Sequence, residues 1–146
     1  AERSASLADQ AATSAAAGDC EGAQSAASLG AVIARGRREL AEATRTTVAR
    51  CFVAAAVGVS DAGPLLERAL YWHGRDTEVV AAAIAYADVL EAAGDVSARA
   101  GDDEAAFEAW PAALRLDPKR AWVRKRAEEA RTRSLSLEQG RVKVAP

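Results

Sequence analysis

Apolar positions recur along this chain every three to four residues, the period of an amphipathic helix, and Gly, Asp and Pro interrupt them at short intervals. A first helix is expected over residues 5–17, closed by Gly18-Asp19, where Gly suits a helix C-terminus and Asp the next N-cap. A second runs over 21–35 to a turn at Arg35-Gly36-Arg37, and a third over 38–57. Gly58, Ser60, Asp61 and Gly63 crowd the next break. Pro64 then sits in the first turn of a fourth helix, where its missing N–H costs nothing, and that helix reaches Trp72. Asp76 or Thr77 caps a fifth helix that extends to Arg99, with a bend or break near Gly94-Asp95. Gly101-Asp102 turns the chain into a sixth helix over 103–116, and Asp117-Pro118 stops it. The last helix spans 120–133. Residues 134–146 lose the period and read as a tail, or as a strand leading elsewhere.

Seven helices joined by short loops, with no strand pattern, make the fold class all-α with neighbouring helices antiparallel, as a bundle or a solenoid. The expected organisation is one helical domain over 1–133 and a C-terminal tail or linker over 134–146. Composition sharpens this. Ala contributes 39 of 146 residues while aromatics are 5 %, so the chain favours helix and its helices approach one another closely. The formal net charge of −2 gives no chain-wide field to hold a phosphate backbone, which argues against nucleic acid as the partner. The longest apolar runs, 51–59 and 79–87, are about half of the ~20 residues that a bilayer span requires.

Residues 87–120 hold the clearest internal pattern. Leu90, Ala93 and Gly94 precede the Gly101 turn, and Ala106, Trp110, Ala113, Leu114 and Asp117-Pro118 follow it. Small residues fall where two helices would cross, large ones beside the crossing, and a breaker at the end. This stretch resembles the tetratricopeptide repeat. Ala62, Leu66, Ala69, Leu70 and Trp72 echo the spacing of Ala106, Trp110, Ala113, Leu114 and Leu116, and Ala23 and Ala27 repeat part of it. The resemblance implies an irregular tetratricopeptide-like solenoid of about three helix pairs. Pro111, well inside the second helix of the repeat, departs from the pattern and is expected to kink it.

The resemblance also implies a protein-binding scaffold whose ligand lies on the concave face, lined by the first helix of each pair. The matching outward positions are Asp88, Glu91, Asp95 and Arg99, joined by Trp122, Lys125 and Glu129 on the following helix. That groove is mainly acidic with a basic edge and suits a basic or amphipathic peptide. The same residues also fit the solvated face of an amphipathic helix, and Trp122 either closes the end of the core or anchors a partner. The cluster Lys119, Arg120, Arg124, Lys125, Arg126, Arg131 and Arg133 reads as solubilising charge on a terminal helix. Members of the family that clamp a peptide carboxylate depend on Asn, which this chain lacks. The alternative is a structural or oligomerising helical domain of a larger envelope-associated protein.

Catalysis has little support. His73 is the only histidine and lies in a turn, so no His pair holds a metal and no His-Cys or Ser-His pair is arranged. Asp102, Asp103 and Glu104 are adjacent in a turn, which is capping chemistry, and no phosphate-cradling loop occurs. No cofactor, metal or catalytic residue is expected. Cys20 and Cys51 lie equally far from the turn at Arg35-Gly36-Arg37, so an antiparallel hairpin brings them to one height, where a bridge is feasible. The alternative is two buried, reduced thiols. A bridge implies a periplasmic or secreted location, its absence a cytoplasmic one.

Overall fold

In the computed structural model, backbone is described for residues 2–33 and 38–144, and side chains for 6–31 and 41–140. Among the described residues the chain is all-helical, with seven helices and no strand. They are α1 (Glu2–Ala16), α2 (Cys20–Ile33), α3 (Arg38–Ala56), α4 (Gly63–His73), α5 (Thr77–Arg99), α6 (Asp103–Leu116) and α7 (Ala121–Val144). The turn expected at Arg35-Gly36-Arg37 lies outside the described residues. None of the described helices is long and apolar enough to cross a membrane.

Two turns share one construction. Gly18 and Gly101 adopt φ of +78° and +81°, the left-handed region that side chains disfavour. This lets the following amide reach back: Asp19 donates to the Ser14 carbonyl at 2.8 Å and Asp102 to the Ser97 carbonyl at 2.9 Å. Each Asp then caps the next helix, accepting from the amides of Gly22 at 2.9 Å and Ala105 at 3.1 Å. Asp76 does the same for α5 through the Val79 amide at 3.2 Å.

The chain forms two compact units, residues 1–83 and 84–146, with α5 running through the division. In the first unit α1 packs on α2, α3 packs on both, and α4 packs on α3. The core is built from small side chains, Ala11, Ala23, Ala27, Ala49 and Ala69, beside Val48, Phe52, Trp72 and Val79. Cys20 and Cys51 join the start of α2 to the end of α3, with an S–S separation of 2.16 Å and Cα atoms 5.7 Å apart. Arg50 pairs with Asp76 at 2.9 Å. That hydrogen bond holds the Asp76 carboxyl below its usual range.

The second unit contains the rest of α5 with α6 and α7. Ala106, Trp110, Val123 and Ala130 form its core, with Ala98, Phe107, Leu114 and Ala127 against them. The echo between α4 and α6 is a shared burial pattern: Ala62 at the N-cap of α4 is buried with Leu66, Ala69 and Trp72 of that helix, and Ala106, Trp110, Ala113 and Leu116 are buried in α6. Of the small positions on the expected crossing, Gly94, Ala106 and Ala113 are buried and Ala93 is exposed. A Cβ on Gly94 would lie 2.4 Å from Trp110 Cδ1 and Nε1. The expected break there does not occur. α5 continues through Gly94, whose missing side chain admits the indole ring, and α6 continues through Pro111. Residues 134–144, expected to leave the helical pattern, extend α7, with Leu135 and Leu137 exposed.

Two outcomes follow from this packing. Gly94→Ala gains helix propensity but overpacks the Trp110 ring, and should lose about 1–3 kcal/mol in urea denaturation, whereas Gly140→Ala, with nothing within 4 Å of its Cβ, should gain up to about 1 kcal/mol. Replacing Cys20 and Cys51 by Ala opens a cross-link spanning 31 residues and should cost roughly 3–4 kcal/mol. Reductant should lower the stability of the unmodified chain to match and leave the variant unchanged.

Candidate functional site

The residues with the densest polar chemistry lie in the second unit, where α7 runs beside α5. Arg120 is the centre. Its side chain is only 4 % exposed, and each of the three guanidinium nitrogens donates a hydrogen bond. Nε donates to Asp117 Oδ2 at 2.9 Å, Nη1 to Glu91 Oε2 at 2.6 Å, and Nη2 to Asp88 Oδ1 and the Ile84 carbonyl. Burial works against the charge, but the bonds to Asp88, Asp117 and Glu91 outweigh it and hold the pKa above the ordinary guanidinium value.

Arg126, six residues later and on α7, continues the arrangement. Its Nη1 donates to both oxygens of Asp95, at 2.9 and 2.8 Å, and to Glu91 Oε1 at 3.2 Å. Between the two arginines, the Trp122 indole N–H donates to Glu91, and the ring stays 51 % exposed. Asp95 also accepts from the Trp110 indole at 3.2 Å, which ties this surface to the core beneath it. The contacts ascend both helices in the same direction, Asp88 with Arg120, Glu91 with Trp122 and Asp95 with Arg126, so α5 and α7 are parallel neighbours here. Four carboxylates surround two guanidinium groups, and the cluster keeps an excess of negative charge.

Of the residues expected to bind a partner, the structure brings together Asp88, Glu91, Asp95 and Trp122. Arg99 on α5, with Lys125 and Glu129 on α7, is exposed and outside this ladder. Arg120 and Arg126 were assigned by sequence to a solubilising basic cluster. Arg120 is instead buried and both are ion-paired, while Lys119, Arg124, Lys125, Arg131 and Arg133 are exposed. A signal was present in the spacing, since acids at 88, 91 and 95 precede bases at 120 and 126 by about one repeat. In the first unit, His73 Nε2 lies 3.7 Å from Glu42.

No protein-family model matches the chain, and no curated protein or solved structure shows significant similarity to it.

Arg120→Met leaves Asp88 and Asp117 without their cation and Glu91 with Arg126 alone, and should cost about 3–5 kcal/mol in chemical denaturation. Arg126, whose side chain is 42 % exposed, should cost no more than about 1 kcal/mol when changed to Met. Equal costs would remove Arg120 from the centre of the cluster.

Proposed function

We propose that this chain is a tetratricopeptide-like helical array that binds a protein or peptide partner on the face made by the first helix of each pair. The observation that carries the reading is the parallel pairing of α5 with α7. Its contacts join residues 29 to 36 positions apart, close to the 34-residue period of such a repeat. In the first unit, α3 packs on both members of the α1–α2 pair and carries α4 as its own second helix. That is the contact order of two successive pairs.

The chemistry of the α5–α7 face favours a basic, amphipathic segment. Its excess of carboxylate attracts cations, and Asp88 keeps a side chain that is 66 % exposed. Trp122 offers an aromatic surface beside it, and exposed aromatic rings dominate the energetics of many interfaces. The bonded cysteines support an oxidising location, periplasmic or secreted. A second reading, a structural or oligomerising helical domain of a larger envelope-associated protein, is favoured by one surface. Ala85, Val89, Ala92 and Val96 are all exposed on α5 at alternating four- and three-residue spacing, the pattern of a helix-pairing seam.

A displayed peptide library selected on the purified chain tests the first reading. Selected peptides should be enriched in Lys and Arg beside apolar residues, and should lose at least about tenfold in affinity, or 1.4 kcal/mol, against both Trp122→Ala and Asp88→Lys. Asp95 is unsuited to this test, because changing it also releases Trp110. Peptides without basic enrichment, or with unchanged affinity for the variants, would remove the assignment. Light scattering over a concentration series runs alongside, and mass that rises with concentration and falls in Val89→Glu would favour the second reading.

A further inference from the structure

We infer that the partner of the α5–α7 face is the C-terminal part of α7 in a second copy of this chain, the two copies lying antiparallel so that each end covers the other's face. The inference rests on the binding role proposed for that face. Charge is segregated in this half of the sequence. Residues 84–118 hold eight acids against two bases, and residues 119–146 hold nine bases against three acids. Arg120 and Arg126 neutralise only part of the acidic face, since four carboxylates surround these two guanidinium groups. The Asp88 side chain is 66 % exposed.

The opposite charge is carried by the end of α7. Of residues 131–140, all but Ser134 are exposed, and Leu135 and Leu137 are bared to 51 % and 66 %. Arg131 and Arg133 precede them, and the sequence adds Arg141 and Lys143 against the single acid Glu138. A helical extension without a tertiary partner is marginal in water, because its residues are ordered without burying apolar area. A neighbour that meets its charge and covers its leucines stabilises it on both counts.

One copy cannot supply both halves of this contact. α7 is a continuous helix, Ala121–Val144, and its first turns already belong to the acidic face through Trp122 and Arg126, so its end leads away from that face. A second copy resolves this when it runs the other way. The acidic residues stand level with the start of α7 and the basic ones occupy its last turns, so antiparallel copies set acid beside base at both ends. A parallel pair would set acid beside acid. The antiparallel contact is made twice about a two-fold axis and closes as a dimer, without open ends that would continue into a fibre.

Light scattering of the intact, oxidised chain over a concentration series tests the pairing. Mass should rise to twice that of the chain and stop there, and added salt should weaken the dimer by at least about tenfold. Asp88→Lys, and the double change Arg131→Glu with Arg133→Glu, should each leave a monomer when alone. An equimolar mixture of the two should regain the dimer, since each offers the charge that the other lacks. Arg131 and Arg133 are exposed, so their variant should match the unmodified chain in circular dichroism and melting temperature, and it decides the question even where Asp88→Lys disturbs Arg120. A chain that is monomeric at every concentration, mass that climbs beyond twice, a dimer indifferent to Arg131 and Arg133, or a mixture of folded variants that stays monomeric would each overturn the pairing. Basic peptides that are still selected through Trp122 and Asp88 would then leave the face its binding role without this partner.

Discussion

The packing of this protein depends on how closely its helices approach where side chains are smallest. With so many interior alanines, each helix brings little apolar area to a contact, and the shortfall is met by reducing the distance between axes. Gly94 is the limiting case. The Trp110 ring occupies the volume that any side chain at 94 would need, so one large residue does the work of several and the crossing of α5 and α6 is fixed by a single fit. Trp110 in turn holds Asp95 through its indole. The core contact thereby sets the height of Asp95, the last carboxylate of the ladder.

The Arg120 cluster is the polar counterpart of that fit. A guanidinium removed from water is costly unless its donors are met, and here three carboxylates and a carbonyl meet four of its five N–H groups. Such a centre tolerates few displacements of α7 along α5, because a shift of one turn would leave Arg120 opposite the wrong residues. It fixes register more than it adds stability. The same arrangement explains how an acidic surface coexists with close helix packing, since the carboxylates that would repel one another share cations.

Much of the secondary structure was legible because the chain marks its turns with residues that have one physical use. Gly18-Asp19 and Gly101-Asp102 pair a left-handed position with a cap, and Pro64 opens α4. Hairpin symmetry, which depends on helix direction alone, set Cys20 and Cys51 at one height, and left open whether their side chains meet as they do in the structure. Other features were illegible for equally specific reasons. Gly94 reads as a helix breaker by propensity, and only the ring packed against it makes it a contact residue. Arg120 is one base among many in residues 119–133, and its burial depends on acids 29 and 32 residues earlier in the chain, on α5. Ala93 adjoins Gly94 in sequence but points elsewhere. The extension of α7 over 134–144 carries no apolar face, and it is helical without the amphipathic pattern that a sequence reading requires.

Small residues have a second consequence in the first unit. The alanines that let α1, α2 and α3 pack closely also leave α2 with little bulk to place against α4, and a cleft remains beside Trp72. A chain of this composition closes its core where helices can meet at short distance and stays open where a third helix must also be accommodated. The disulfide acts on the same weakness. It joins α2 to α3 where the interior is made of Ala23, Ala49 and Phe52, and so supplies by restricting the unfolded chain what the native contacts there cannot supply by area.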